Sequence, residues 1–426
     1  MALNKYDLIN KKQLERYAEL AVKVSVNVQP GQLMIISCPV EDYFFARLVQ
    51  KHAYTVGAGN VIIDWEDDFS TKAFYLNAVE EYIGDFPCWE VEKYKVWDES
   101  DACYLHIRTE HPNLFSDVSP EKITRHTKIK RKKLTDHRAK KSAYQTRWGI
   151  IMVPSEQWAK KMFPNLEIEE ALICSWNSIL YAGRVTGDNP VQDWTKHGET
   201  FKSVIKFLDD IQFKTLHFRN SLGTDLTVGL VKNHRFIGGS CRDAKGIDFF
   251  PNIPTEEVFT NPHKYKVNGK LVASKPFIYA GNIIEDVVLE FENGKIINHS
   301  ASKGYNTLTA FLNTDEGTRY LGEIALAVPD SPLGQINHLF YSTMFDENTG
   351  CHIGIGSSNP SCMKNAYELK EMDFDKIGLN KSCLLVNMTI GTKDMTVMGI
   401  SSVGKQVKII ENGNYVIGNV AKPHEV

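Results

Sequence analysis

Apolar residues recur at helical spacing between residues 10 and 26 (Leu14, Tyr17, Ala18, Leu20, Ala21, Val24), which predicts an amphipathic first helix. Pro30-Gly31 then turns the chain into LMIISCPV, a short unbroken apolar run of the kind buried in a parallel sheet. EDYFFARLVQKHAYTVGAG predicts a helix ending on glycine, NVIIDWED a second strand, and Ala102 to Arg108 a third. Strand, helix and strand at this spacing make a βαβ unit. RWGIIMVPSEQWAKKMFP reads as a strand, a proline turn and a helix start, with Trp148 and Trp158 as core anchors. Asp188-Asn189-Pro190 breaks the chain before a long helix that carries His197 on its polar, surface side. After about Phe213 the period shortens to two. Gly223-Thr224-Asp225 and Glu292-Asn293-Gly294 mark hairpin turns. The pattern thus predicts an N-terminal α/β domain over residues 1–212 and a β-rich α+β domain over 213–426.

Composition narrows the function classes. The 426 residues are 42% hydrophobic and 24% charged, as in a globular protein, and exceed what one ordinary core holds. A net charge of −3 argues against a general affinity for nucleic acid or acidic membranes. The basic stretch from Glu121 to Lys141 has no aromatic residue until Tyr144, so it reads as a solvated helix face. Eight scattered cysteines without a C-x-x-C pair suggest free thiols in a reducing compartment. With a polar start and no apolar run long enough for a membrane span, a cytoplasmic location is expected. Pro39-Val40-Glu41, at the first strand-to-helix junction, carries no glycine pattern that would cradle phosphate, so that lobe is expected to be scaffold.

Chemistry concentrates between Glu316 and Gly356, where Glu323, Glu347 and His352 stand among apolar runs. Carboxylates with an imidazole suit a borderline divalent ion such as zinc or cobalt. Glu316 to Glu323 reads as a helical turn or two leading into the apolar run Ile324 to Val328, with Glu323 at the edge of the buried surface. Glu347 and His352 flank the turn Asn348-Thr349-Gly350. Spacing alone also fits three unrelated polar residues beside a core. Further back, Pro251 to Glu257 is a proline-stiffened loop ending in two carboxylates, of which one is expected to face inward; a capping glutamate at a helix start is the alternative.

The segments GTRYLGEIALAV, LFYSTMFDENTGCHIGIG and PNIPTEEVFTNPHKYKVNG, together with the pattern around Trp148, Pro154 and Trp158, resemble the thermophilic-aminopeptidase family of metallopeptidases. The likeness runs from NVQPGQLMIISCPVE at residue 27 to IGTKDM near residue 390. It implies a homodimeric two-metal exopeptidase that releases N-terminal residues from peptides. The family's ligand pattern falls on Glu257, Glu323, Glu347 and His352. Where the family has His-x-Asp before Ile-Gly, this chain has Leu385-Val386-Asn387, and Asn359 stands where the family has tyrosine. Leu385 offers no lone pair, and Asn387 only a neutral amide. The resemblance therefore implies one divalent ion per chain, with Glu257 and Glu323 catalytic and the Asn359 amide in the oxyanion role. Three readings follow: a peptide or small-amide hydrolase with an altered, mononuclear site; a relative turned to a non-peptide substrate such as a specialised-metabolite amide; and a binding or scaffold protein that has lost turnover.

Overall fold

The computed structural model describes residues 4–280, 282–366 and 373–417. Two compact units emerge, one of residues 1–194 with 240–253, the other of 195–239 with 254–426. The sequence suggested a single cut after residue 212; the long helix Pro190–Ile211 instead spans the division.

In the first unit, helix α1 (Lys11–Leu20) buries Leu14, Tyr17, Ala18 and Leu20, the stripe its periodicity defines, and Asn10 caps it by accepting the Lys12 N–H at 2.8 Å. Strands β1 (Leu33–Pro39), β2 (Asn60–Glu66), β3 (Cys103–Arg108) and β4 (Trp148–Met152) form a parallel sheet in the order β2-β1-β3-β4. Helix α2 (Tyr43–Thr55) connects β1 to β2, completing the expected βαβ unit. The basic stretch forms two helices, Pro120–Lys133 and Thr135–Ser142, and the first buries none of its side chains.

Residues 240–253 complete this unit from far along the chain. The Ile150 N–H donates to Pro251 O at 2.8 Å, Ile253 N–H to Ile150 O at 3.1 Å, and Phe250 N–H to Ser25 O at 3.0 Å. The Arg147 guanidinium and the Asp243 carboxylate pair where both residues are buried. Leaving one member of a buried pair alone costs about 3–5 kcal/mol. A fragment ending at residue 212 is therefore expected to unfold without a cooperative transition, which thermal circular dichroism would check; a sharp transition would show that 240–253 is dispensable.

The second unit joins two antiparallel sheets over one hydrophobic core. Eight strands run in the order Lys295–Ser300, Val288–Glu292, Pro262–Val272, Asp225–Leu230, Phe213–Arg219, Thr396–Ser401, Gln406–Glu411, Asn414–Tyr415, and both expected hairpins are present. Five strands form the second sheet: Leu385–Thr389, His352–Gly356, Leu321–Ala327, Glu257–Thr260 and Ile237–Gly238. Val258, Ile324, Leu326, Ile353, Ile355 and Met388 turn one face of it into the core. Period-two alternation sends Glu257, Glu323, His352 and Asn387 to the other face.

Candidate metal centre

Glu257, Glu323 and His352 are placed by strand geometry. Glu257 opens its strand opposite Ala327, so the helix-start alternative does not hold. Glu323 lies within a fully buried strand, not at the edge of a helical turn; the turn, Glu316–Arg319, ends before it. The reason is a bulge. Leu321 pairs with Ile355 and Glu323 with Gly354, so the extra residue Gly322 lets Leu321 look into the core while Glu323 looks away. A Cβ at Gly322 would collide with the carbonyl oxygens of Gly356 and Ser357, so only glycine fits there. His352 pairs with Ala325, and small residues at 325, 327 and 354 leave the space that the polar side chains fill.

The structure brings Glu257, Glu323 and His352 together, with one ligand atom of each lying within 4.8 Å of the others. His352 Nε2 stands 2.7 Å from Glu257 Oε2 and 4.0 Å from Glu323 Oε1. The closer pair is misaligned for a hydrogen bond, so both of its atoms are buried without such a partner. His352 Nδ1 faces the Gly350 carbonyl at 3.3 Å, an orientation that reserves Nε2 for a ligand role.

Glu347 sits on the turn Glu347–Thr349 and joins this group through Asn387. Asn387 Nδ2 donates to Glu347 Oε2 at 2.7 Å and lies 3.4 Å from Glu323 Oε1. Asn387 Oδ1 is buried and unpaired. Gly354 lies between Glu323 and Asn387 in register. A Cβ on it would stand 2.6 Å from Leu385 Cδ1, 2.7 Å from Asn387 Oδ1 and 2.9 Å from Glu323 Cβ, so these three side chains converge over a glycine.

Two candidates are engaged elsewhere. Asn359 Oδ1 accepts the Ser361 N–H at 3.0 Å as the cap of a short turn, and its backbone is clasped by the Asn261 amide. Glu256 turns toward His197, at 3.5 Å. His197 is not a free surface residue as expected; its Nε2 lies 2.9 Å from Thr255 O. Sequence reading missed two positioning amides. Asn348 Oδ1 accepts the Glu256 N–H at 2.7 Å, tying the Glu257 loop to the Glu347 turn, and Asn380 Nδ2 donates to Gly317 O at 2.8 Å and Gly356 O at 2.7 Å. Asparagine's two-sided amide is the only signal for either.

The electrostatics are those of crowded acids. Burial, then the Glu257 charge, push the Glu323 carboxyl up to about 8; the same causes push Glu347 up to about 7. Burial opposes a charged His352, yet Glu257, Glu347 and Glu323 outweigh it and carry the imidazolium up to about 9. All three groups thus hold protons in the folded chain that the unfolded chain releases at lower pH. Stability from them is present in acid and lost as pH rises toward 9. Chelator-treated protein is expected to melt roughly 5 °C or more lower at pH 9 than at pH 6, and excess zinc to remove that slope. A midpoint that rises with pH would contradict this assignment.

Two convergent buried carboxylates and an imidazole, with Glu257 Oε2 and His352 Nε2 lacking hydrogen-bond partners, fit a divalent ion. Comparison with known proteins agrees. The profile of the thermophilic metalloprotease (M29) family matches residues 10–415. The chain is 37% identical to aminopeptidase 2 of Geobacillus stearothermophilus over 405 residues, spanning 95% of this chain and 98% of that one. It is 38% identical to aminopeptidase AmpS of Bacillus subtilis over 403 residues, spanning 95% and 98%. Wild-type AmpT from Thermus thermophilus superposes with a TM-score of 0.88 at 32% identity, over 96% of this chain and 100% of that one. A profile match over nearly the whole chain and relatives of this similarity establish the assignment: the chain belongs to the thermophilic metalloprotease (M29) family.

Proposed function

We propose that this chain is an aminopeptidase-type amide hydrolase with one divalent ion per chain, zinc, cobalt or similar, held by Glu257, Glu323 and His352. The observation that carries it is the buried pair Glu257 Oε2 and His352 Nε2, 2.7 Å apart and lacking hydrogen-bond partners. A divalent ion there would polarise a scissile carbonyl and lower the pKa of water. The chain's own residues do the rest. Glu257 and Glu323 offer carboxylates to accept the proton of the attacking water. Glu347, outside the three-ligand group, takes the free amine of a peptide or small-amide substrate. Asn387 keeps Glu347 beside Glu323 by donating from a neutral amide, where a fourth carboxylate would repel both. Asn359 Oδ1 serves as a cap, which leaves Nδ2 as the donor for an oxyanion.

Homodimeric assembly belongs to the same proposal, on the resemblance. A cytoplasmic location is supported by eight free cysteines, and no described helix is long and apolar enough to cross a membrane. Metal content after dialysis tests the core of the reading: elemental analysis should find one tightly held ion per chain. Two would mean that Asn387 or another residue completes a second site, and none would return the chain to the scaffold reading. Leu385, exposed beside Asn387, favours one variation, a substrate whose apolar group meets that leucine, such as a non-peptide amide.

A further inference from the structure

The second compact unit holds a cavity of about 660 Å³ that none of Glu257, Glu323, Glu347 and His352 lines, within the size range of small-molecule sites. Four parts of the chain wall it: Lys275, the stretch from Pro329 to Asn337 beyond the Leu321–Ala327 strand, Lys393, and the hairpin tip at Asn412 and Asn414. These walls are braced. Ser331 Oγ accepts the Gly334 N–H at 3.0 Å, and Gln335 Nε2 donates to Asp330 Oδ1 at 3.3 Å. The hairpin tip packs closely on its neighbours: a Cβ on Gly413 would stand 3.0 Å from Pro329 Cγ and the Thr392 carbonyl oxygen and 3.1 Å from that of Lys393. The Ser274 N–H donates to Thr389 O at 2.9 Å, which anchors the backbone just before Lys275.

The lining is polar and carries both signs of charge. Lys275 and Lys393 bring ammonium groups, Asp330 a carboxylate, and Gln335, Asn337, Asn412 and Asn414 carboxamides. No aromatic ring and no arginine stands among the described residues that line it, so it offers neither a stacking platform for a base nor a guanidinium fork for phosphate. Lys393 is exposed, as a solvated lysine is. Lys275 differs: it is half-buried, and among the described residues it has no hydrogen bond and no carboxylate within ion-pair distance. The acid whose charge reaches it, Asp346, accepts the Phe340 and Ser342 N–H groups at 2.8 and 3.1 Å instead. Burial pulls the Lys275 ammonium below the usual lysine range. Asp330 and Asp346 still match Lys275 and Lys393 in number, so what Lys275 lacks is a contact, not a net counter-charge.

We propose that this cavity is a second ligand site, which takes a small polar zwitterion, a free amino acid or dipeptide, with its carboxylate on Lys275 Nζ and its ammonium toward Asp330. An electroneutral lining with separated charges suits a ligand of the same kind. A bare anion would meet the Asp330 carboxylate, and an uncharged ligand would leave the Lys275 ammonium without an anionic partner. The carboxamides supply donors and acceptors for a peptide group or a polar side chain. Lys275 gives the ligand carboxylate a charge-assisted hydrogen bond, the stronger for being made in a half-buried place. The chemistry of the lining selects this class and the metal reading does not enter, although the residue that an aminopeptidase releases belongs to it.

Calorimetric titration of the intact protein with L-glutamine, L-glutaminamide, N-acetyl-L-glutamine and inorganic phosphate tests it. The second probe lacks the carboxylate, the third the ammonium, and the fourth is an anion alone. Glutamine should bind at least about tenfold more tightly than each of the others, the difference one charge-assisted hydrogen bond makes. Lys275→Met should weaken glutamine by about tenfold or more, and Glu323→Gln should leave it unchanged, which separates this cavity from the metal centre. Equal or tighter binding of any comparison probe, loss of glutamine binding in Glu323→Gln, full binding by a folded Lys275→Met, or no binding to about 10 mM would each overturn the site. Should Lys275→Met not fold, limiting acylation of the wild-type protein decides: glutamine must protect Lys275 from modification, and unaltered labelling would refute the proposal.

Discussion

Glu323→Gln should lower metal affinity by about a hundredfold or more, whereas Glu256→Gln should leave it within about threefold, because only the first side chain is a ligand. The two residues are both buried glutamates, so burial alone does not separate them. Direction does. Glu323 points with Glu257 and His352 into one 4.8 Å cluster, while Glu256 turns to His197. Glutamine preserves the shape of Glu323 but replaces an anionic donor with a neutral amide, a poor ligand for zinc. Burial and the Glu257 charge already keep the metal-free Glu323 carboxyl protonated at neutral pH, so the neutral glutamine costs nothing there and the metal-free Glu323→Gln protein should be at least as stable as wild type. Competition with a chromogenic chelator, beside a melting curve of each apoprotein, separates lost affinity from lost fold. Equal losses at the two positions would remove Glu323 from the site.

Leu385→His combined with Asn387→Asp should raise the metal content from one ion per chain to two. The pair lies at alternate positions of one strand, and both side chains reach the space over Gly354, next to Glu323. Imidazole adds a nitrogen donor; aspartate adds a fourth negative charge and withdraws the amide that Glu347 now holds. Only a partial gain of aminopeptidase activity on dipeptides or arylamides is expected, because Asn359 remains a turn cap. Adding Asn359→Tyr should increase that gain. A double variant with no additional ion would mean that the cleft is reshaped beyond these two residues, and the non-peptide or scaffold reading would replace the peptidase one.

Local pattern was legible where it rests on nearest neighbours. The α1 stripe, the β1–α2–β2 unit and the hairpins all follow from periodicity and turn residues. What distance along the chain hides was not. Alternation by two would set Leu321 and Glu323 on one face; the bulge that parts them depends on how Gly322 meets the Gly356 and Ser357 carbonyls of another strand. Asn387 looked like a ligand lost. In the fold it is a donor between two carboxylates, a role that exists only once Glu323 and Glu347 have been brought to it. Lys141 belongs to a run that reads as solvated, but Tyr104 and Trp148, from two strands, enclose it. Glu257, Glu323, Glu347 and His352 were singled out because short motifs carry them, while Asn380 belongs to none and Asn348 read only as a turn residue.

Residues 240–253 bear on how the chain comes off the ribosome. Translation is vectorial, and N-terminal units ordinarily fold as they emerge. Here the first unit cannot be finished until part of its neighbour has been made. Phe250, Pro251 and Ile253 arrive after the long helix and the first hairpin of the other unit have been synthesised, and until then Ser25 O and Ile150 N lack their partners and the Arg147 guanidinium lacks the Asp243 carboxylate. The nascent α/β unit must wait, incomplete, for a stretch that follows the first strands of its neighbour. Maturation of the two units is interleaved in time, and a pause or cleavage between residues 212 and 240 would strand the half that looks, on paper, already complete.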